Sequence, residues 1–530
     1  MGKNKVDNDE SGGQQKCGST TRHDVVTWVF SMLFIIAWLG CMWAWGASKG
    51  WNAQSGYTYE SVNNSMIRFL PEPYFCNDTS IPGRSGADCV GTWYFWKLPP
   101  DQATILTHAI VWLFYCLHQG FIWALIYRAQ LTVSRRKDGA RTKKYGSEMR
   151  WFNWSLLGVN AVFHILHLVQ THWTYDGTAQ DVAVSSSQAS VIMMICFILL
   201  MEYRDRGIIL MWPNPSSDDK LAKYLRLNQG PVQLIRKYHG FIFSWATIYT
   251  FWYHPMENTW GHTFGFFHTA MVLLQGSLIY TDMHLNRYWR LLNEVWVFAH
   301  GTVIAVQTSN PDVAGGSSLW PIFTFGFGFV LAFTQVFSFP FWKKISPYFR
   351  IIPVLIFLTI VLALCGTVVK GKEPGQTGFS RIYEMFFIPA EEYMMLLFSW
   401  LFLYIFIRIE AAIIGDKKLD SNYEMSPTKQ AFYLAGVVMV YAAFVLISYF
   451  WRFANGDMLT LMIIFVFIFS FGCCITVMLF KQIMGPHRSM VRPACVGNAS
   501  PTKFSETETT QPSTNSSVGN DNGAYEAESF

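Results

Sequence analysis

An all-α, polytopic integral membrane protein with about 12 transmembrane helices in one bundle is the fold class this chain predicts, on three observations. Of its 530 residues 51% are hydrophobic and only 14% charged, against about 25% charged in soluble domains. The apolar residues gather into runs of roughly 20, the length a helix needs to cross the hydrocarbon core of a bilayer. Lys and Arg stay out of the centres of those runs altogether.

Twelve runs qualify: 25–46, 103–127, 152–172, 182–201, 238–254, 262–281, 291–307, 319–340, 351–369, 388–407, 430–450 and 458–480. With the N-terminus placed in the cytoplasm, inside segments hold 32 of the 40 Lys and Arg and outside segments hold 8. That excess is the positive-inside pattern, and it predicts both termini cytoplasmic in a plasma membrane or other secretory-pathway membrane. The lipid bilayer is the first expected partner, and no nucleic-acid partner is expected. Residues 1–24 read as a polar cytoplasmic tail, 25–481 as the transmembrane domain and 482–530 as a disordered tail too poor in apolar groups to fold. The first run follows a charged leader and lacks the short apolar core and cleavage pattern of a removed signal, so it reads as a signal anchor. The final Glu528-Ser529-Phe530 has the form of a ligand for a PDZ-type sheet edge.

The loop 47–102 carries its own signs of an exterior face. Asn63 and Asn77 each begin a glycosylation sequon, which acts only in a secretory lumen. Cys76 and Cys89 are the only cysteine pair in an outward segment. In an oxidising compartment such a pair is expected to form a disulfide, worth about 3 kcal/mol for a short loop.

Histidine placement points to function. Eleven of the 13 histidines lie between His108 and His300, and none falls in the later apolar runs. Imidazoles in spanning helices cost free energy and ordinarily face a bundle interior, a partner or a water-filled path. His108 and His118 sit on the second run, and His164 and His167 lie one helical turn apart on the third, close enough to share one ligand. These four are the candidate metal ligands. His239 and His254 are 15 residues apart on the fifth run, which is about 22 Å of helical rise. That spacing resembles the in-helix histidine pairs of di-haem b-type cytochromes. The resemblance implies His239 with His284 as an inner iron pair, and His254 with His300 or His268 as an outer pair. A b-type haem or transition metal, serving transmembrane electron transfer, is the first functional expectation.

Two other classes compete. A proton-coupled secondary transporter of a small solute or metal ion fits twelve runs with both ends inside. The basic stretch Arg135–Lys144 resembles the signature loop of the major facilitator superfamily, without its leading glycine or Asp-Arg step. A zinc-dependent intramembrane hydrolase would need three ligands and an activated water, and no HExxH box is present. Absence of a span-centred Lys excludes retinal Schiff-base chemistry, and absence of a P-loop argues against nucleotide-driven pumping. Asp181 with Ser185-Ser186-Ser187-Gln188 gives the fourth run a polar outer half, suited to line a vestibule. Arg290 and Glu294, four apart on the seventh run, are expected to pair. Glu391 and Glu392 enter the tenth run after Pro389, and Gly326-Phe327-Gly328 reads as a close helix contact.

Overall fold

The computed structural model describes residues 22–51, 69–71, 92–94, 103–134, 145–182, 184–212, 231–308, 320–371, 375–394 and 396–397. Asn63, Asn77, Cys76, Cys89, the last two predicted spans, and the expected tails and PDZ-type ending lie outside the described residues. Helices dominate: α1 (His23–Ser48), α2 (Ile105–Ser134), α3 (Trp151–Thr174), α4 (Val184–Arg206), α5 (Pro231–Tyr253), α6 (Trp260–Ser277), α7 (Arg287–Thr308), α8 (Trp320–Phe333) and α9 (Ile352–Thr367). Short 3₁₀ turns join them, and a further helix begins at 387. The described part of the long loop contributes one small antiparallel pair, Phe69–Pro71 against Thr92–Tyr94.

Among the described residues, five segments are long and apolar enough to cross a membrane: α1, most of α2, α3, Trp320–Ser338 and Pro347–Thr367. Their outer surfaces are those of a protein bathed in lipid. Phe30, Leu33 and Ile36 on α1, Leu113 and Phe121 on α2, and Leu355, Ile356 and Ile360 on α9 are all exposed, which a water-soluble surface would not tolerate as continuous stripes. With every backbone group bonded inside its own helix, such a surface has nothing left for water to satisfy.

The interior is built by α2 packing on α3 and α5, α5 on α4 and α6, and α6 on α1 and α7. Its centre is aromatic: Trp38, Phe163, Phe251, Trp252 and Phe266 are buried together. The close approach expected at Gly326 and Gly328 is present. A Cβ on Gly326 would lie 2.7 Å from Ile388 Cβ, and one on Gly328 would lie 3.1 Å from Phe357.

Helix ends gather into two layers. At one end, Asp24 N donates to Ser147 O and Asp282 N to Gly146 O, while Met283 N donates to the buried Asp24 carboxylate at 2.8 Å. The start of α1, the lead-in to α3 and the α6–α7 turn are thereby tied together. At the other end, Asn258 Nδ2 donates to Trp51 O at 3.1 Å, joining the end of α1 to the α5–α6 turn. Neighbouring helices therefore run up and down, with the histidines in the space between these two layers and on them.

A histidine-lined candidate functional site

At the mouth of the second layer α3 closes on Tyr175, whose φ of 43° is left-handed. A non-glycine residue holds that conformation only when its surroundings fix it. Here the Tyr175 hydroxyl donates to Glu257 Oε2 at 2.9 Å, and its ring meets Trp51 edge-on. The turn folds Asp176 back into the protein, and Gly177 follows so tightly that a Cβ there would lie 2.6 Å from Tyr253 O. Asp176 is 1% exposed and accepts from Gly177 N at 2.8 Å. Burial, aided by the neighbouring Asp181 charge, pushes its carboxyl up to about 6 from an ordinary 3.8, against the opposing pull of Thr107, Gly177 and His108. Beside it on the surface, His108 Nδ1 meets Asp181 Oδ2 at 2.9 Å and Trp112 Nε1 donates to the same oxygen at 2.6 Å.

Deeper, His118 is locked in one neutral tautomer by its neighbours. An indole N–H can only donate, and Trp252 Nε1 donates to His118 Nδ1 at 3.2 Å. The proton is therefore on Nε2, which donates to Asn160 Oδ1 at 2.8 Å. Asn160 is itself oriented, because its Nδ2 donates to Ser277 Oγ at 2.9 Å and Ser277 Oγ donates on to Leu273 O. His164 donates from Nδ1 to Asn160 O at 2.5 Å, and its own carbonyl accepts from Trp38 Nε1 at 2.9 Å.

His167 differs from both. Its Nε2 faces His254 O at 2.8 Å, a pure acceptor. Its Nδ1 faces Gln170 Oε1 at 3.2 Å. Gln170 cannot turn its amide round without loss, because Nε2 already donates to Asp176 O at 3.0 Å and Thr174 Oγ1 at 2.9 Å. A ring with an acceptor at each nitrogen uses one of them when neutral and both when doubly protonated. The pocket offers an acceptor to each nitrogen of His167, and through Gln170 it is tied to the backbone carbonyl of Asp176.

Further imidazoles gather around His167 at the ends of α5 and α6 and along α6 and α7. His254 donates from Nδ1 to Thr250 O at 3.2 Å, and its ring lies 5.5 Å from that of His262. His262 Nδ1 lies 2.7 Å from Thr259 Oγ1 and 3.3 Å from Glu257 Oε1. His268, nearly two turns further along α6 than His262, bonds Asn293 O through Nε2 at 2.9 Å, and its ring is 6.3 Å from His300 on α7. His300 is seated against α6 at Gly265, where a Cβ would lie 2.9 Å from its Nε2. At the opposite layer His239 and His284 stand 6.3 Å apart. Their Nδ1 atoms are tied to Arg236 O at 2.7 Å and Gln275 O at 2.8 Å.

The structure thus brings His118, His164, His167, His254, His262, His268 and His300 into one neighbourhood, keeps His239 with His284, and leaves His108 at the surface. The expected pairing of Arg290 with Glu294 is corrected. Glu294 lies 2.7 Å from Arg206 of α4, and Arg290 pairs with Glu202, also of α4, because the packing of α4 presents a closer partner to each than the same helix does. His254 sits nearest His262, a partner the sequence reading did not single out. Both nitrogens of His118 are bonded and both of His167 face acceptors, and no group of three or more His, Cys, Asp or Glu among the described residues is arranged to hold a metal ion. Glu257, Tyr175, Asp176 and Gln170 complete the site without having been anticipated. Of the polar outer half of α4, Ser187 and Ser190 are buried, with Ser190 Oγ 3.0 Å from Thr250 Oγ1. No family model, curated protein or solved structure matches the chain.

Proposed function

We propose that this is a multi-pass carrier in which a row of imidazoles and carboxylates couples proton movement to passage of a small solute. The observation that carries the reading is His167, whose two nitrogens face two acceptors and whose pocket is tied through Gln170 to the backbone carbonyl of Asp176, beside that residue's buried carboxyl. Asp176, with its carboxyl near 6, is the entry group: it binds a proton from a mildly acidic exterior and releases it at neutral pH. Glu257, hydrogen-bonded by Tyr175 and beside His262, extends the row, and His254, His262, His268 and His300 extend it toward mid-membrane. Imidazole suits such a relay because its unperturbed protonation change lies in the physiological range. The charge asymmetry of the loops supports twelve spans, both termini in the cytoplasm and the Asp176 mouth outside.

The test is reconstitution into vesicles with a trapped pH dye, under an acid exterior and an imposed potential, with small solutes added in turn. The reading predicts that a cognate solute starts proton entry and that His167→Asn abolishes it. Solute entry with no accompanying protons contradicts coupling.

Electron transfer through a b-type haem stays as a second reading because of one observation, the His239–His284 pair. Ligating histidines ordinarily donate their other N–H to a carbonyl or carboxylate. Both rings do so here, through Nδ1, which leaves their Nε2 edges for a ligand. A ring-to-ring distance of 6.3 Å matches about 6 Å for two metal–nitrogen bonds of about 2 Å plus half of each ring. The outer pair fits less well, since His268 would have to leave Asn293 O to offer Nε2. Haem would supply one-electron chemistry at the inner layer, and His239 and His284 would hold it. Soret and sharp reduced α and β bands in the purified protein support this reading, and a colourless protein contradicts it. A zinc hydrolase finds no such support, because both nitrogens of His167 are engaged.

A further inference from the structure

Arg206 is the last residue of α4 and its side chain is 1% exposed. Only one corner of its guanidinium is used. Nη1 meets Glu294 Oε2 at 2.7 Å and donates to Ser338 Oγ at 2.9 Å. Nε and Nη2, which form the side-on fork of the group, are buried and have no hydrogen-bond partner among the described residues. Buried polar groups are almost always satisfied, and three buried N–H bonds on one cation are a costly omission. The planar Nε–Nη2 edge is the surface that takes a carboxylate bidentately.

We propose that the open edge of Arg206 is a binding site for the carboxylate of a small monocarboxylate. The surrounding charge favours one negative charge over two. Arg206 with Glu294 and Arg290 with Glu202 form a group of two cations and two anions, neutral as it stands. A monoanion adds one charge that a single co-bound proton cancels, whereas a phosphate dianion leaves a second charge buried. Thr334 and Tyr393 are bonded to each other at 2.6 Å, and Thr334 donates to Ile208 O, two residues beyond Arg206. Assigning this carboxylate as the carried solute rests on the transport reading; the binding itself does not.

The experiment is saturation-transfer NMR of lactate, with inorganic phosphate as the comparison probe, on the full chain in lipid nanodiscs. Wild type is expected to bind lactate saturably and phosphate not at all. Arg206→Lys keeps the charge but lacks the fork, and is expected to weaken lactate at least about ten-fold. Should that variant fail to fold, Arg206→Met combined with Glu294→Gln leaves no unpaired buried charge and is expected to be folded and unable to bind. Dephasing between ¹³C-carboxylate lactate and ¹⁵N-arginine in the unmutated protein gives the same answer without mutation. No lactate binding, phosphate binding in its place, or equal lactate binding by either variant overturns the proposal. Lactate binding without proton-linked lactate uptake in vesicles upholds the site and removes the carboxylate's assignment as the carried solute.

Discussion

Asp176→Asn should stabilise the protein at neutral pH and leave it unchanged in acid. The carboxyl of Asp176 is buried by the Tyr175 turn, and its affinity for a proton rises from an ordinary 3.8 to about 6. A raised carboxyl means that the folded state binds more protons than the unfolded one between these two values. Unfolding free energy therefore falls as pH rises through that window and is constant above it. Two pH units correspond to roughly 3 kcal/mol of native-state penalty for the charged form. Asparagine is nearly isosteric, its Oδ1 still accepts from Gly177 N, and it carries no charge to desolvate. Thermal unfolding of both proteins in detergent, from about pH 4 to pH 8, reads the difference. The expected result is coincident melting in acid, divergence through the window and a constant advantage for the variant above about pH 6.5. Parallel melting curves at every pH, or a wild type more stable at neutral pH, would refute the burial argument and with it the role of Asp176 as the group that takes up protons.

Further outcomes follow from the same geometry. Asn160→Ala leaves the Nε2–H of His118 without its acceptor and should cost about 1–3 kcal/mol, read as a lowered Tm with unchanged oligomeric state. Gly326→Val drives a branched side chain into Ile388 and should cost about 1–3 kcal/mol in the α8 contact, whereas Gly276→Ala, with open space at its Cβ position, should melt like wild type. If the purified protein retains a haem, His239→Ala or His284→Ala should remove its Soret band and His118→Ala should not; the reverse pattern would place the cofactor elsewhere. Trp38→Phe loses the hydrogen bond to His164 O and part of a buried ring packed on Phe251 and Phe266, and should cost about 2–4 kcal/mol, measured by the same melting assay.

What was legible in the sequence was whatever depends on one helix at a time. Apolar runs, basic loops and histidines in apolar company can each be seen without knowing which helix meets which, and the run boundaries match α1 to α9 to within a few residues at most ends. The ends of α2 and α4 and the start of α5 lie further out, where polar residues continue the helix past its apolar part, and α8 stops short of its run where 3₁₀ turns take over. Partnerships were not legible. Arg206 and Glu294 are 88 residues apart, and nothing local distinguishes that pair from Arg290 with Glu294 at helical spacing. The tautomer of His118 depends on Trp252 of another helix. Asp176 and Glu257 lie in turns only a few residues long, where a carboxylate reads as solvated. They are buried because Tyr175 takes a left-handed conformation and Gly177 permits contact with Tyr253 O. A usable signal was nonetheless present: both turns place a carboxylate shortly after aromatic residues, Trp173-Thr174-Tyr175-Asp176 and Tyr253-His254-Pro255-Met256-Glu257.

The central claim is that His167 takes up and releases a proton in a pocket that offers an acceptor to each of its nitrogens. The most direct test is ¹⁵N NMR of histidine-labelled protein in lipid, with His167 assigned by its absence in His167→Asn, followed from about pH 5 to pH 8. A ring that changes from one protonated nitrogen to two within that range, and stops doing so in Gln170→Leu, is the predicted result. A His167 that stays a single neutral tautomer at every pH would contradict it.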